Sequence, residues 1–181
     1  MSRRAASLWV LLFLLLALVG GGTGLLRSDD SRRSGGPVAL ASSGRVVHIV
    51  DGDTVDVRIG DAARRVRYIG VDTPESVKPD TPVQCFAKQA SAFNSRLVAG
   101  RRVRLQYGPD RHDRYGRLLA YVYLPGHSRS VNAELVAEGY GRVLAIAPNT
   151  AHLRPYLRLE RLARERHLGL WGSCDYRPLD F

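Results

Sequence analysis

The sequence predicts an α+β fold in which a five-stranded β-barrel is accompanied by about three helices. Short β-rich runs separated by Asp-Gly and Gly-Asp turns predict the strands, and an amphipathic helical segment follows the third run. Further helical segments come late in the chain. With 181 residues, of which 45% are apolar, the chain is long enough to form one domain with a packed core.

Three antiparallel strands open the predicted barrel. Arg45–Val50 and Thr54–Ile59 are β-rich runs joined by the turn-forming tripeptide Asp51-Gly52-Asp53. The dipeptide Gly60-Asp61 then turns the chain into a third run, Arg65–Ile69. This part of the chain therefore predicts a three-stranded meander.

A helix and two more strands follow the meander. Phe86–Val98 is predicted to be helical because its apolar residues share one face, and Gly100 ends it. The remaining predicted elements are strands at Arg102–Tyr107 and Leu118–Leu124, a charged loop at Gly108–Gly116, a short helix at Val131–Glu138, and a final helix reaching about His167. Pro155 must either start or kink the final helix. This order predicts the Greek-key barrel of an OB fold, an architecture often used to bind nucleic acids.

The N-terminal residues 1–26 have the pattern of an export segment. Two arginines precede the apolar run Leu8–Val19, which is typical of a signal peptide. Counted on to Leu26, the run has 19 residues, just enough to span a bilayer, so a cleaved peptide and an uncleaved membrane anchor both stay open. We expect the protein to be exported, and either secreted or anchored to the outer face of the cytoplasmic membrane. Residues 27–43 are predicted to be a flexible linker, 44–174 the folded body, and 175–181 a tail.

The net charge of +10 favours a polyanionic partner, although an arginine-rich coding bias would give the same charge. Two cysteines, Cys85 and Cys174, are an even number in a chain predicted to be exported. We therefore predict a disulfide between them, the alternative being two unpaired thiols.

Carboxylates in two of the loops are candidate metal ligands. Asp53 and Asp72 offer hard oxygen donors, which suit calcium, whereas the two cysteines and five histidines lack the spacing of a zinc site. Glu75 follows Asp72 closely and is a candidate general base for a metal-bound water. Taken singly, each acid is equally typical of a turn or a solvated loop.

Two arginines complete the predicted site. Arg67 and Arg117 each carry a planar guanidinium that can bind two phosphate oxygens and stays charged. Either one alone could equally be a solvated strand or loop residue. Together with the acids, these arginines predict metal-assisted hydrolysis of a phosphodiester.

The strings Asp51-Gly52-Asp53-Thr54, Arg67-Tyr68-Ile69-Gly70-Val71-Asp72-Thr73-Pro74-Glu75 and Asp113-Arg114-Tyr115-Gly116-Arg117 together resemble the staphylococcal nuclease (thermonuclease) family. The resemblance covers roughly residues 44–172. It implies an OB-fold barrel with calcium-dependent activity on DNA and RNA that leaves 3′-phosphate ends.

The resemblance also implies roles for single residues. Calcium would be held by Asp53, Asp72 and the backbone carbonyl of Thr73, with Asp51 beside the metal. Glu75 would be the catalytic glutamate, Arg67 and Arg117 the two catalytic arginines, and Tyr115 the tyrosine near the substrate phosphate. One departure is the stretch Leu144–Ala147, where the staphylococcal protein has tyrosines that line its nucleotide pocket.

Two other hypotheses about the function remain open. A non-catalytic OB module could hold nucleic acid at the cell surface, although such a binder gains nothing from three acids beside a polyanion. A histidine-based metal nuclease could be built around Arg111-His112-Asp113. We expect a monomer whose partners are DNA and RNA, with membrane contact if the N-terminal segment is uncleaved.

Overall fold

The fold was analysed in a computed structural model that describes residues 41–76 and 82–175. The predicted export segment, most of the predicted linker and nearly all of the predicted tail lie outside these residues. Within the described ranges, no helix is long and apolar enough to cross a membrane.

Five strands close into a barrel, as predicted, in the order β1-β2-β3-β6-β5. Their neighbours pair antiparallel except β3 and β6, which are parallel. The barrel strands are β1 (Ala41–Ile49), β2 (Thr54–Ile59), β3 (Ala62–Tyr68), β5 (Arg102–His112) and β6 (Leu118–Tyr123). Strand β1 begins at Ala41, inside the segment predicted to be linker, because residues 41–45 pair with β5.

Helices pack around the barrel. They are α1 (Ala87–Val98), α2 (Val131–Ala137), α3 (Leu153–Glu165) and the single turn α4 (Leu170–Ser173). Pro155 lies in the first turn of α3, where its missing N–H leaves no helical hydrogen bond unmade, so the helix is not kinked there. The three longer helices match the predicted number.

A small second sheet was not predicted. Strands β4 (Val71–Asp72) and β7 (Arg142–Val143) pair antiparallel outside the barrel. A ladder of two residues has no periodicity to read from a sequence. It matters because it brings Arg142 beside Asp72.

Alternating residues of the strands fill the barrel. The core includes Val46, Val57, Val66, Leu105 and Val122, each at most 1% exposed. Burying such aliphatic side chains contributes about 1.5–3 kcal/mol each relative to exposure. The same alternation turns the neighbouring residues of each strand outward, so the barrel presents polar side chains in fixed rows.

Candidate active site

Asp53 lies in the turn between β1 and β2 and is only 4% exposed. Its Oδ2 accepts hydrogen bonds from the backbone N–H of Thr73 at 2.7 Å and from the Thr73 hydroxyl at 3.0 Å. Gly52 permits this approach, because a Cβ there would lie 2.6 Å from Thr73 Oγ1. Asp51 supports the turn by accepting from the Asp53 N–H at 2.9 Å. The turn and the chain at Thr73 are thus held as one unit.

The charge of Asp53 is poorly compensated by the protein alone. Burial raises the pKa of its carboxyl to about 6, Arg67 opposes this rise, and the neighbouring Asp51 adds to it. A buried carboxylate with a raised pKa is a group whose ionised form a bound cation would stabilise. This is a first indication that the turn can hold a metal ion.

Arg67, on β3, bridges the two predicted metal-binding acids. Its Nε lies 3.1 Å from Asp53 Oδ1 and its Nη2 lies 2.9 Å from Asp72 Oδ1. Its Nη1 donates to the carbonyls of Tyr68 at 3.0 Å and Val71 at 2.7 Å. A guanidinium has five N–H groups. In this conformation, therefore, Arg67 retains one N–H on Nη2 for a phosphate, not the two-pronged contact that its sequence position predicts.

Arg142 is a member of the site that sequence reasoning missed. Its Nη2 lies 3.0 Å from Asp72 Oδ2, and its side chain is only 17% exposed. Both oxygens of Asp72 thus face guanidinium groups, from Arg67 and from Arg142. No local pattern marks Arg142, because the contact depends on pairing between two-residue strands 70 positions apart.

The donors around Asp53 fit a hard cation. Across residues 41–76 and 82–175, no three His, Cys, Asp or Glu side chains form a cluster that could hold a metal. The ligands predicted from the sequence are two carboxylates, Asp53 and Asp72, and the backbone carbonyl of Thr73, to which water would add the remaining ligands. An all-oxygen set that includes a backbone carbonyl and water is typical of calcium. It does not suit zinc, which prefers nitrogen and sulfur.

Glu75 follows this cluster in the chain, in the loop after β4, and is half-buried. Two hydrogen bonds join its backbone to Gln84, and we call this pair the Gln84 bracket. The Glu75 N–H donates to Gln84 Oε1 at 2.8 Å, and the Gln84 N–H donates to the Glu75 carbonyl at 3.0 Å. Cys85, the next residue, forms a disulfide with Cys174. The loop that carries Glu75 is therefore anchored, through Gln84, to the C-terminal end of the described chain.

Arg117 stands on the other side of the site, in the turn before β6. Its Nε donates to Asp113 Oδ2 at 2.6 Å, and its guanidinium lies 5.4 Å from the centre of the Tyr115 ring. Its two Nη groups make no hydrogen bond to any residue that the structure describes. Asp113 also accepts from the backbone N–H groups of Tyr115 and Arg117, at 2.9 and 3.0 Å. Although burial opposes them, these bonds hold the pKa of Asp113 below its usual value.

The barrel brings the two arginines to one region. Leu118 pairs with Val66, and Leu119 with Arg67, in the parallel ladder of β3 and β6, so Arg117 precedes β6 about two positions from Arg67. An open cavity of about 480 Å³ adjoins Arg117, and Tyr115, which is 68% exposed, also lines it. Tyr115 is thus an exposed aromatic residue whose ring lies close to the guanidinium groups of Arg114 and Arg117.

Comparison with known proteins identifies the chain's relatives. The family model described as "Staphylococcal nuclease homologue" matches residues 65–173. A thermonuclease from Staphylococcus hyicus is 38% identical over 129 residues, covering 71% of this chain and 75% of that protein. One from Staphylococcus intermedius is 40% identical over 126 residues, covering 70% and 74%. The endonuclease YncB of Bacillus subtilis is 40% identical over 129 residues, covering 70% of this chain and 60% of that protein.

A match over more than half of the chain, relatives near 40% identity over most of their own length, and the predicted barrel agree with one another. The chain belongs to the staphylococcal nuclease family.

Proposed function

We propose that the protein is a calcium-dependent endonuclease that hydrolyses phosphodiester bonds in DNA and RNA and leaves 3′-phosphate ends. The observation that carries the proposal is the convergence of Asp53 and Asp72 on Arg67, beside the backbone of Thr73. The family relationship and the names of the relatives support a nuclease.

Asp53, Asp72 and the carbonyl of Thr73 would hold the cation. Bound there, calcium would supply charge stabilisation to a phosphate oxygen and lower the pKa of a bound water. Arg67 already faces one oxygen of each carboxylate. With the acids held by a cation, Arg67 would no longer be needed to neutralise Asp72, and its Nη2 edge would be able to bind the phosphate.

Glu75 would act as the general base. Its carboxylate accepts the proton from the attacking water as the water oxygen bonds to phosphorus; the bond from phosphorus to the 5′ oxygen breaks, and that oxygen leaves with the bonding electrons and takes up a proton from solvent. This cleavage leaves the phosphate on the 3′ side. The Gln84 bracket limits the motion of the Glu75 backbone, which a base positioned for one proton requires.

Arg117 would bind the equatorial phosphate oxygens through its two Nη groups. Those oxygens gain negative charge as the phosphorus becomes five-coordinate, so the contact strengthens toward the transition state. The exposed ring of Tyr115 lies beside this guanidinium and would contact the substrate next to the phosphate, as a base-stacking surface.

We further propose that residues 41–174 form the nuclease body of an exported, monomeric protein, since β1 begins at Ala41 and not after the predicted linker 27–43. Residues 27–40 would connect that body to the N-terminal segment 1–26, which would direct export and, if uncleaved, anchor the body to the outer face of the cytoplasmic membrane. A disulfide within the body fits an oxidising compartment.

Glu75→Gln is the decisive test. The purified protein and this variant would be assayed on DNA and RNA with calcium, with zinc and with a chelator. We expect cleavage by the parent only with calcium, and turnover by the variant lower by roughly 10²–10⁴-fold. Calcium and oligonucleotide affinity should be retained by the variant, because glutamine keeps the shape of the side chain. Full activity in chelator would contradict the cation's role, and a parent that binds nucleic acid without cutting it would favour a non-catalytic module.

A further inference from the structure

Three arginines form a row across neighbouring strands on the outside of the barrel. Arg45 on β1 is the register partner of Arg102 on β5 and of Arg58 on β2. All three are exposed, whereas the adjacent residues Val46 and Val57 are buried, so the three side chains point outward from the same face. We call Arg102, Arg45 and Arg58 the arginine row.

The arginine row is unfavourable for the protein alone. Like charges directly opposite each other on adjacent strands destabilise a sheet. Arg45 donates to the carbonyl of Gly100 at 2.6 Å, but the structure assigns Arg58 and Arg102 no hydrogen bond. Within the described ranges, no carboxylate lies within 4.0 Å of a nitrogen in the row. By contrast, Arg65, one row closer to the active site, is paired with Asp56 through two hydrogen bonds.

The arginine row also continues from the active site. Ala63 on β3 is the register partner of Arg58, and it lines the cavity of about 480 Å³ that Arg117 and Tyr115 border. Along β3, Arg67, Arg65 and Ala63 share the outward side. Ala63, which pairs with Arg58 of the row, therefore lies four residues, or roughly 13 Å, from Arg67. The predicted catalytic arginines, the cavity and the arginine row therefore follow one another on one face of the barrel. Within the described ranges, the guanidinium groups of the row have no carboxylate partner.

We propose that the arginine row is a secondary binding site for the phosphate backbone of the nucleic-acid substrate, several nucleotides away from the bond that is cut. The inference rests on the proposed nuclease function. A polyanion complements three unpaired guanidinium groups, and OB folds bind single strands along positively charged grooves, with sites of about 4–16 nucleotides. Because arginine binds phosphate through a planar fork, a strand crossing β2, β1 and β5 could meet each member of the row in turn.

The test compares two variants of the full-length chain that remove equal charge. The row variant carries Arg45→Gln, Arg58→Gln and Arg102→Gln. The matched control carries Arg154→Gln, Arg158→Gln and Arg166→Gln, exposed positions on or just after α3 that make no described ion pair. A double variant, Arg58→Gln with Arg102→Gln, keeps the Arg45 hydrogen bond in case the triple variant folds poorly.

Binding of a single-stranded DNA of about 16 nucleotides is measured in chelator at several salt concentrations. We expect the row variant to bind roughly tenfold more weakly than the control, and its plot of log affinity against log salt to be shallower by roughly 2, at about 0.7 per lost phosphate contact. With calcium, KM for the long strand should rise while kcat stays near the parent value. Cleavage of a dinucleotide, which cannot reach the row, should match that of the control.

The inference would be overturned by row and control variants that bind the long strand equally. It would also be overturned if the row variant lost binding only to phosphatidylserine vesicles, since the row would then face an anionic membrane. Failure of the proposed function gives a different result: no variant, the parent included, would cleave DNA or RNA. In that case, the binding assay in chelator would still measure how much the arginine row contributes to the affinity for single-stranded DNA.

Discussion

The two arginines predicted to bind phosphate lie in contrasting regions. Arg67 is only 13% exposed, and its guanidinium contacts two carboxylates and two backbone carbonyls of the barrel end. Arg117 is 29% exposed, and Asp113 holds it through Nε, so both of its Nη groups are left without a hydrogen bond to any described residue. At the barrel end, Arg67 is thus a guanidinium partner that Asp53 and Asp72 share. In the turn before β6, by contrast, the Nη groups of Arg117 are available to bind a phosphate.

Arg67→Gln should have the largest effect on stability. It leaves the buried Asp53 without its guanidinium partner and Asp72 with Arg142 alone, and removing one partner of a buried ion pair in this way costs roughly 3–5 kcal/mol. Chemical denaturation in chelator should show this loss in the free energy of unfolding, and added calcium should restore part of it. The matched variant Arg117→Gln should change the free energy of unfolding far less. Equal losses for the two variants would remove the distinction between the regions.

Arg117→Lys should have the next largest effect, on turnover. An ammonium cannot reproduce a two-pronged contact with phosphate, and loss of one such transition-state contact typically costs about 10²–10³-fold in kcat. The thermal midpoint should stay near that of the parent, because the lysine can still pair with Asp113. A lysine variant that turns over like the parent would show that Arg117 contributes charge alone.

Cys174→Ser tests the anchoring of the loop with Glu75. The disulfide spans a separation of 89 residues, and removing it should lower the free energy of unfolding by roughly 2–4 kcal/mol. Because Cys85 adjoins Gln84, turnover should fall as well, even at temperatures where the variant is folded. Mass spectrometry of unreduced, digested protein should find the linked peptides in the parent. If the variant were less stable but kept the turnover of the parent, the disulfide would stabilise the fold without positioning Glu75.

Asp53→Asn should have a smaller effect, visible through pH. Burial raises the pKa of Asp53 to about 6 in the folded chain, so that chain binds its proton more tightly than the unfolded chain does. In chelator, this group's contribution to stability should therefore fall as pH rises from about 4 to about 6, by at most roughly 3 kcal/mol. The asparagine variant should lose this component of the pH profile. It should also bind calcium more weakly, which calorimetry would measure; an unchanged calcium affinity would contradict the ligand assignment.

Much of the barrel could be predicted because its strands and turns carry local signals. A β-rich run between two turns defined Thr54–Ile59, and helical spacing placed α1 within one residue of its observed start at Ala87. Strand β5, however, runs to His112, through a stretch predicted to be a charged loop. Asn149 explains the difference, since its side-chain amide bonds both the N–H and the carbonyl of Asp110. Such support from 39 residues away leaves no pattern near the strand.

The site divides in the same way. The acids and arginines stood out because they lie in short strings with a known combined chemistry, and Asp53, Arg67, Asp72 and Thr73 do meet in the fold. Arg142 and Gln84 did not stand out. Arg142 contacts Asp72 from 70 positions away, and Gln84 contacts Glu75 from the other side of a loop. Arginine and glutamine are also common on protein surfaces. Their roles remain predictions to be tested with the others.

The Cys85–Cys174 bond also has a consequence for timing. It closes the bracket around Glu75 by joining positions near the middle and the end of the described chain, so the bracket is complete only after the last helix has been made and both thiols have been oxidised. A newly made chain in a reducing compartment would lack this closure. Until both thiols have been oxidised, the loop that carries Glu75 would be joined to the C-terminal end of the described residues by noncovalent contacts alone.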